Sequence, residues 1–143
     1  MIFSVHRHFT LAAIILLSQA ALVVAEDVKF SRDIRPLLSD TCFRCHGPDA
    51  SARQAELRLD VGAAAQADRG GYAAIVPGKP AASEAMRRIL SDDPDQIMPP
   101  RKSGLRLSTK QKDLLRRWIA EGAKYETHWA FTQITRPCRR SSG

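Results

Sequence analysis

The chain has 143 residues, 22 Lys and Arg against 15 Asp and Glu, and a formal net charge of +7 at pH 7. It is 44% hydrophobic and 26% charged, a globular balance at a length that suits one domain. The basic residues are scattered and no nucleic-acid-binding motif accompanies them. A solvated basic surface that attracts acidic partners is therefore the more economical reading, and no nucleic-acid partner is expected.

Residues 1–25 read as a signal peptide. His6, Arg7 and His8 form a short basic n-region, and Leu11 to Leu17 form an apolar h-region of the usual ~7–15 residue length. Val23-Val24-Ala25 sets compact residues at a cleavage site. The apolar run is shorter than the ~20 residues that a membrane span needs, so an uncleaved anchor is the lesser reading. Membrane association is expected only if this segment is retained. The predicted location is exported, in the periplasm or an equivalent extracytoplasmic compartment. What remains buries a modest core and would gain from a large apolar group at its centre.

After a lead-in at residues 26–29, a first helix is predicted from Asp33 to Cys45. Asp33 is the candidate cap, and Pro36 falls in the first turn, where proline is tolerated. Ile34, Leu37, Leu38 and Cys42 recur at helical spacing. The same face carries Cys42-Phe43-Arg44-Cys45-His46. Two thiols three residues apart, followed at once by an imidazole, form the attachment pattern of a c-type haem. Positions i, i+3 and i+4 share a helix face, so two sulfurs can meet two vinyl groups of one porphyrin while His46 meets the iron. A plain amphipathic helix with two core cysteines leaves His46 unexplained. Gly47-Pro48 stops the helix.

From 49 to 80 the pattern is weak. Leu57 and Leu59 alternate with Arg58 and Asp60 as a short extended piece. Gly62 to Ala65 can begin a short helix, and Gly70-Gly71 and Val76 to Pro80 mark turns. Pro80 opens a second helix ending near Leu90, with Ala82, Ala85, Met86 and Ile89 on one face, which makes Met86 a core residue. Ser91 to Asp95 is a polar loop. Met98 precedes Pro99-Pro100, so it is biased away from the α region and sits on a stiff, non-helical strap. Taken alone, it is a loop methionine filling a gap. With the upstream motif, the strap is suited to presenting a thioether to iron.

The last helix has the clearest signals. Ser108-Thr109-Lys110-Gln111 is a capping box, Leu114, Leu115, Trp118 and Ile119 form an apolar stripe, and Gly122 ends it. Trp118 reads as a core residue against the first helix or the haem edge. Tyr125 to Phe131 is aromatic-rich and includes His128 and Trp129. The division is thus a signal peptide at 1–25, one domain at 26–131, and a basic tail at 132–143 without apolar pattern. Cys138, alone in that tail, is either free or pairs between molecules. There are no internal repeats.

In order, Phe30-Ser31-Arg32-Asp33-Ile34-Arg35-Pro36, the Cys42 to Asp49 run, Leu57-Arg58-Leu59-Asp60, Val76 to Pro80, Ser91-Asp92-Asp93-Pro94, Met98-Pro99-Pro100 and Leu115 to Ile119 resemble the planctomycete-type cytochrome c domain, a branch of the class I-like c-type cytochromes. The resemblance implies an all-α fold around a covalent haem c, the first and last helices packing across each other. It implies Cys42 and Cys45 as attachment points, His46 as proximal ligand and Met98 as distal ligand. In that family the domain usually opens a longer exported protein, so this chain is either free-standing or a truncated haem domain of a larger redox protein.

The expected function is an exported carrier of single electrons, not an enzyme in itself, serving redox partner proteins through haem iron held by His and Met. Two alternatives stay open. Cys42, Cys45 and His46 could bind zinc with His128 or Cys138, or the two thiols could form a redox disulfide. A haem sensor with an open sixth position would leave Met98 off the iron.

Overall fold

A computed structural model describes residues 26–126; the readings on residues 1–25 and on His128, Trp129, Cys138 and the tail lie outside them. The described chain is helical. Its helices are α1 (Arg35–Thr41), α2 (Phe43–His46), α3 (Gly62–Gln66), α4 (Glu84–Ile89) and α5 (Thr109–Ala120). Among the described residues the only β-type pairing is an isolated parallel bridge between Ala73 and Ser83. No helix here is long and apolar enough to cross a membrane.

The opening helix departs from its predicted course at both ends. It begins three residues early with a π turn, Phe30–Ile34, closed by the Arg35 N–H on the Phe30 carbonyl. Pro36 follows directly. It has no N–H to donate, and its ring crowds the carbonyl four residues back, which a widened turn relieves. Asp33 lies inside this turn and does not cap it from outside; its carboxylate accepts from the Lys29 N–H at 2.8 Å. At the other end the helix breaks at Cys42, whose φ of −123° and ψ of −39° fall outside the helical range. The hydrogen-bond ladder nevertheless crosses the break. Cys42 N–H donates to the Leu38 carbonyl at 2.7 Å, and His46 N–H donates to the Cys42 carbonyl at 2.8 Å.

The expected second helix is also two pieces, a 3-10 turn Pro80–Ala82 followed by α4. The joint is Ser83, which is fully buried. Its hydroxyl accepts from Val76 N–H at 2.9 Å and donates to the Lys79 carbonyl at 3.0 Å. Met86 and Ile89 are core residues as expected, whereas Ala82 is exposed.

The last helix follows its sequence. Ser108 Oγ accepts from Gln111 N–H at 3.3 Å, and Gln111 Oε1 accepts from Ser108 N–H at 2.8 Å. Gly122, at φ 103°, takes the left-handed turn that ends it. Leu115, Trp118 and Ile119 are buried against the opening segment. Trp118 stacks on Phe30 at a centroid distance of 5.7 Å and meets Tyr125 edge-on at 5.2 Å. This aromatic trio locks the two ends of the domain together. Gly62 fits beneath it because any Cβ there would sit 2.8 Å from the Tyr125 ring.

Between these ends the irregular stretch is held by long-range backbone bonds. Leu59 N–H reaches the His46 carbonyl at 2.8 Å, Ile75 N–H the Ala65 carbonyl at 2.9 Å, and Gly78 N–H the Ile119 carbonyl at 2.8 Å. The Tyr125 hydroxyl donates to the Leu59 carbonyl at 3.1 Å. No buried side-chain polar atom is left without a partner among the described residues.

Candidate haem site

A cavity of about 830 Å³ opens between α2, the 54–59 loop, α4 and the 98–105 segment. Cys42, Cys45, His46 and Met98 all line it. The four residues singled out in the sequence, 56 positions apart at the extremes, thus meet at one place. Its walls are mostly apolar, with Leu57, Leu59, Ala74 and Ile89 among the lining residues. The volume lies in the upper part of the range for ligand pockets, roughly 300–1,000 Å³.

Each side chain is held by a local device. Thr41 Oγ1 is 3.3 Å from Cys42 Sγ, and Thr41 itself is tied to the Leu37 carbonyl at 2.7 Å. Burial pushes the Cys42 thiol up from its ordinary range, with the Thr41 hydroxyl opposing. Cys45 is exposed at the cavity mouth. Both thiols are free.

His46 has the most informative surroundings. Its Nδ1 lies 3.2 Å from the Gln54 carbonyl. A carbonyl only accepts, so Nδ1 carries the proton and Nε2 keeps its lone pair. That is the arrangement in which a backbone acceptor fixes the orientation of a metal-binding imidazole. Burial lowers the His46 pKa, the Gln54 bond opposes, and the positive charges of Arg69 and Arg88 lower it further, so the surroundings favour the neutral ring. Gln54 also donates its N–H to the Cys45 carbonyl at 2.7 Å. One residue therefore clasps the motif at two points. Its loop is braced by Arg53, which donates to the Gly47 carbonyl at 3.2 Å and the Pro48 carbonyl at 2.9 Å. Two non-glycine residues in the left-handed region, Ala55 and Glu56, turn the chain back. Sequence reasoning missed Gln54, because the contact uses a main-chain oxygen that every residue type provides.

Met98 is half-buried on the strap. Its N–H donates to the Arg88 carbonyl at the end of α4 at 3.1 Å. The Met98–Pro99 peptide is cis. The strap is anchored from α4 by Arg87, whose guanidinium bonds Gln96 Oε1 at 2.6 Å while pairing with Glu84. Trp118 does not line the cavity; it packs with the opening segment, the first of its two expected places. Among the described residues no cluster of three or more His, Cys, Asp or Glu forms a metal site.

Among the described residues the domain is helical without strands and turns its Cys-x-x-Cys-His run into a largely apolar cavity. Residues 42–102 match the family model of planctomycete cytochrome C. Over that stretch the chain is similar to a haem-binding, electron-transfer kind of domain. The match begins at the first motif cysteine and ends past the strap, so it takes in the cavity-lining residues except Thr41, Ser103 and Leu105 and leaves out the Phe30 and Trp118 segments. No curated protein and no solved structure gives a significant match.

Proposed function

We propose that this domain is an exported carrier of single electrons that holds haem c through Cys42 and Cys45, with His46 and Met98 as axial ligands. The observation that supports it most is the single cavity reached by all four side chains. When bound, haem c supplies one-electron iron chemistry, and the protein sets its potential and access.

The roles of the chain's own residues follow from their chemistry. Cys42 and Cys45 would hold the group by thioether bonds, each thiol adding across one vinyl group. His46 would offer Nε2, kept neutral by burial and aimed by the Gln54 carbonyl. Met98 would offer a thioether from a strap pinned to α4, a ligand that favours reduced iron. Leu57, Leu59, Ala74 and Ile89 would exclude water. Arg44, Arg69 and Arg88, which also line the cavity, would offset the propionate charges. Export by the 1–25 segment, the crossing of the first and last helices, and membership of a longer redox protein belong to the same reading.

Met98→Ala tests the axial pair. The expected result is retained covalent haem with a changed axial absorption spectrum and a lowered reduction potential. An unchanged spectrum would remove Met98 from the iron and favour an open sixth position.

A further inference from the structure

Arg101, Lys102, Arg106, Lys110 and Lys112 fall within twelve residues, and no acidic residue lies between Asp95 and Asp113. Lys112 is half-buried and the other four are exposed. None of the five forms an ion pair among the described residues, whereas Arg87 and Arg88 before them and Arg116 and Arg117 after them are all paired. Asp93, at the start of the strap, is engaged in its own turn, where its carboxylate accepts from the Asp95 N–H at 2.9 Å and from Gln96 Nε2 at 2.8 Å.

This positive segment borders the site. Lys102 lines the large cavity with Ser103 and Leu105. Arg106 and Lys112 line a second cavity of about 100 Å³ that shares Met98 and Pro99 with the first. The charges therefore gather where the Met98 strap meets the surface. Unpaired charges at a cavity mouth are an effective steering device, raising association rates by roughly 10–10³ at low salt.

The chemistry of the segment selects among anionic partners. It has no aromatic residue on which nucleic-acid bases could stack. Among the described residues the exposed large apolar ones, Val61, Tyr72 and Leu90, all lie outside it, so it lacks the apolar flank of a lipid-inserting surface. We propose that residues 101–112 are the docking surface for a carboxylate-rich face of a redox partner protein, bringing it to the Met98 edge of the cavity. The proposal rests on the electron-carrier reading above.

Two measurements test it on haem-loaded protein. In the first, one electron passes from the reduced protein to an oxidant, either anionic ferricyanide, which becomes ferrocyanide, or cationic tris(phenanthroline)cobalt(III), which becomes the cobalt(II) complex. The variant carrying Lys102→Glu, Arg106→Glu and Lys110→Glu should slow the anionic oxidant by about tenfold at low salt and speed the cationic one. The variant carrying Lys29→Glu, Lys79→Glu and Lys124→Glu has the same net charge change on exposed sites elsewhere and should move both rates by less than about twofold. In the second, poly-L-glutamate is titrated against labelled protein, and the amides of 101–112 should shift, with the effect lost in the first variant. Equal rate effects in the two variants, shifts confined to other residues, or binding to phosphatidylglycerol vesicles without binding to poly-L-glutamate would each overturn the proposal. The two readings fail separately: a protein without haem absorption ends the carrier reading, while amide shifts confined to other residues of the haem-loaded protein end the docking reading alone.

Discussion

Gly47→Ala is the sharpest test of how the motif is seated. Gly47 follows His46 directly, in an extended conformation with φ of −122°. Its conformation is open to any residue; its surroundings are not. A Cβ at this position would lie 2.2 Å from the Phe43 carbonyl oxygen and 2.9 Å from the Phe43 carbonyl carbon. These are backbone atoms of α2, so no side-chain rotation can yield. Relief requires Gly47 to swing away from α2, which strains the 3.2 Å bond from Arg53 to its carbonyl and tilts the neighbouring imidazole. Overpacking of this kind costs about 1–3 kcal/mol. Taking about 2 kcal/mol, the midpoint of thermal unfolding should fall by roughly 8–16 °C for a domain of this size. The assay is thermal unfolding of the haem-loaded protein, followed by far-ultraviolet circular dichroism. Gly70→Ala is the control. Gly70 has a φ of 89° but nothing within 4 Å of its would-be Cβ, so only backbone strain opposes it, at about 1 kcal/mol. A Gly47→Ala midpoint within 2 °C of the parent, or a smaller loss than for Gly70→Ala, would refute the contact argument.

Other residues give independent checks. Trp118→Ala removes the buried ring between Phe30 and Tyr125 and should cost about 3–5 kcal/mol in urea unfolding; a loss below about 1 kcal/mol would mean that the aromatic trio does not hold the two ends. Ser83→Ala leaves the Val76 N–H without its acceptor and should cost about 1–3 kcal/mol, read the same way. Glu84 bonds Arg87 and Arg88 at 2.6–2.7 Å, and these partners hold its carboxyl at about 2, below its ordinary 4.5. Because the folded value is depressed, this stabilisation is complete above about pH 4.5 and is lost as the pH falls towards 2. The stability difference between the parent and Glu84→Gln should therefore shrink across that window; a difference constant from pH 6 to pH 2 would contradict the pairing.

Local signals were legible in the chain because their causes are local. The Ser108 and Gln111 box needs only a four-residue turn, and α5 starts where it predicts. Cys42, Cys45 and His46 are close in sequence, so their common direction survives even though the helix breaks at Cys42. The strap is legible for the same reason, since two prolines restrict Met98 without help from the rest of the fold. The π turn is different. Periodicity identifies Ile34, Leu37 and Leu38 as one face but cannot distinguish a turn closed at i+4 from one closed at i+5. Ser83 looks like a surface residue until Val76 and Lys79 are brought against it. The Gln54 clasp on His46 depends on left-handed Ala55 and Glu56, neither of which is a residue type that announces such a turn. Residues 49–80 are held mainly by contacts distant in sequence, and these have no periodic signature.

The most direct measurement is the haem content of the protein after export from a host with a c-type haem attachment system, taken under denaturing conditions. The account predicts one haem per chain that stays with the polypeptide after unfolding, is lost on unfolding only when both Cys42 and Cys45 are replaced by Ala, and shows a sharp reduced α band when folded. A colourless protein, or haem that leaves completely on denaturation, would contradict it.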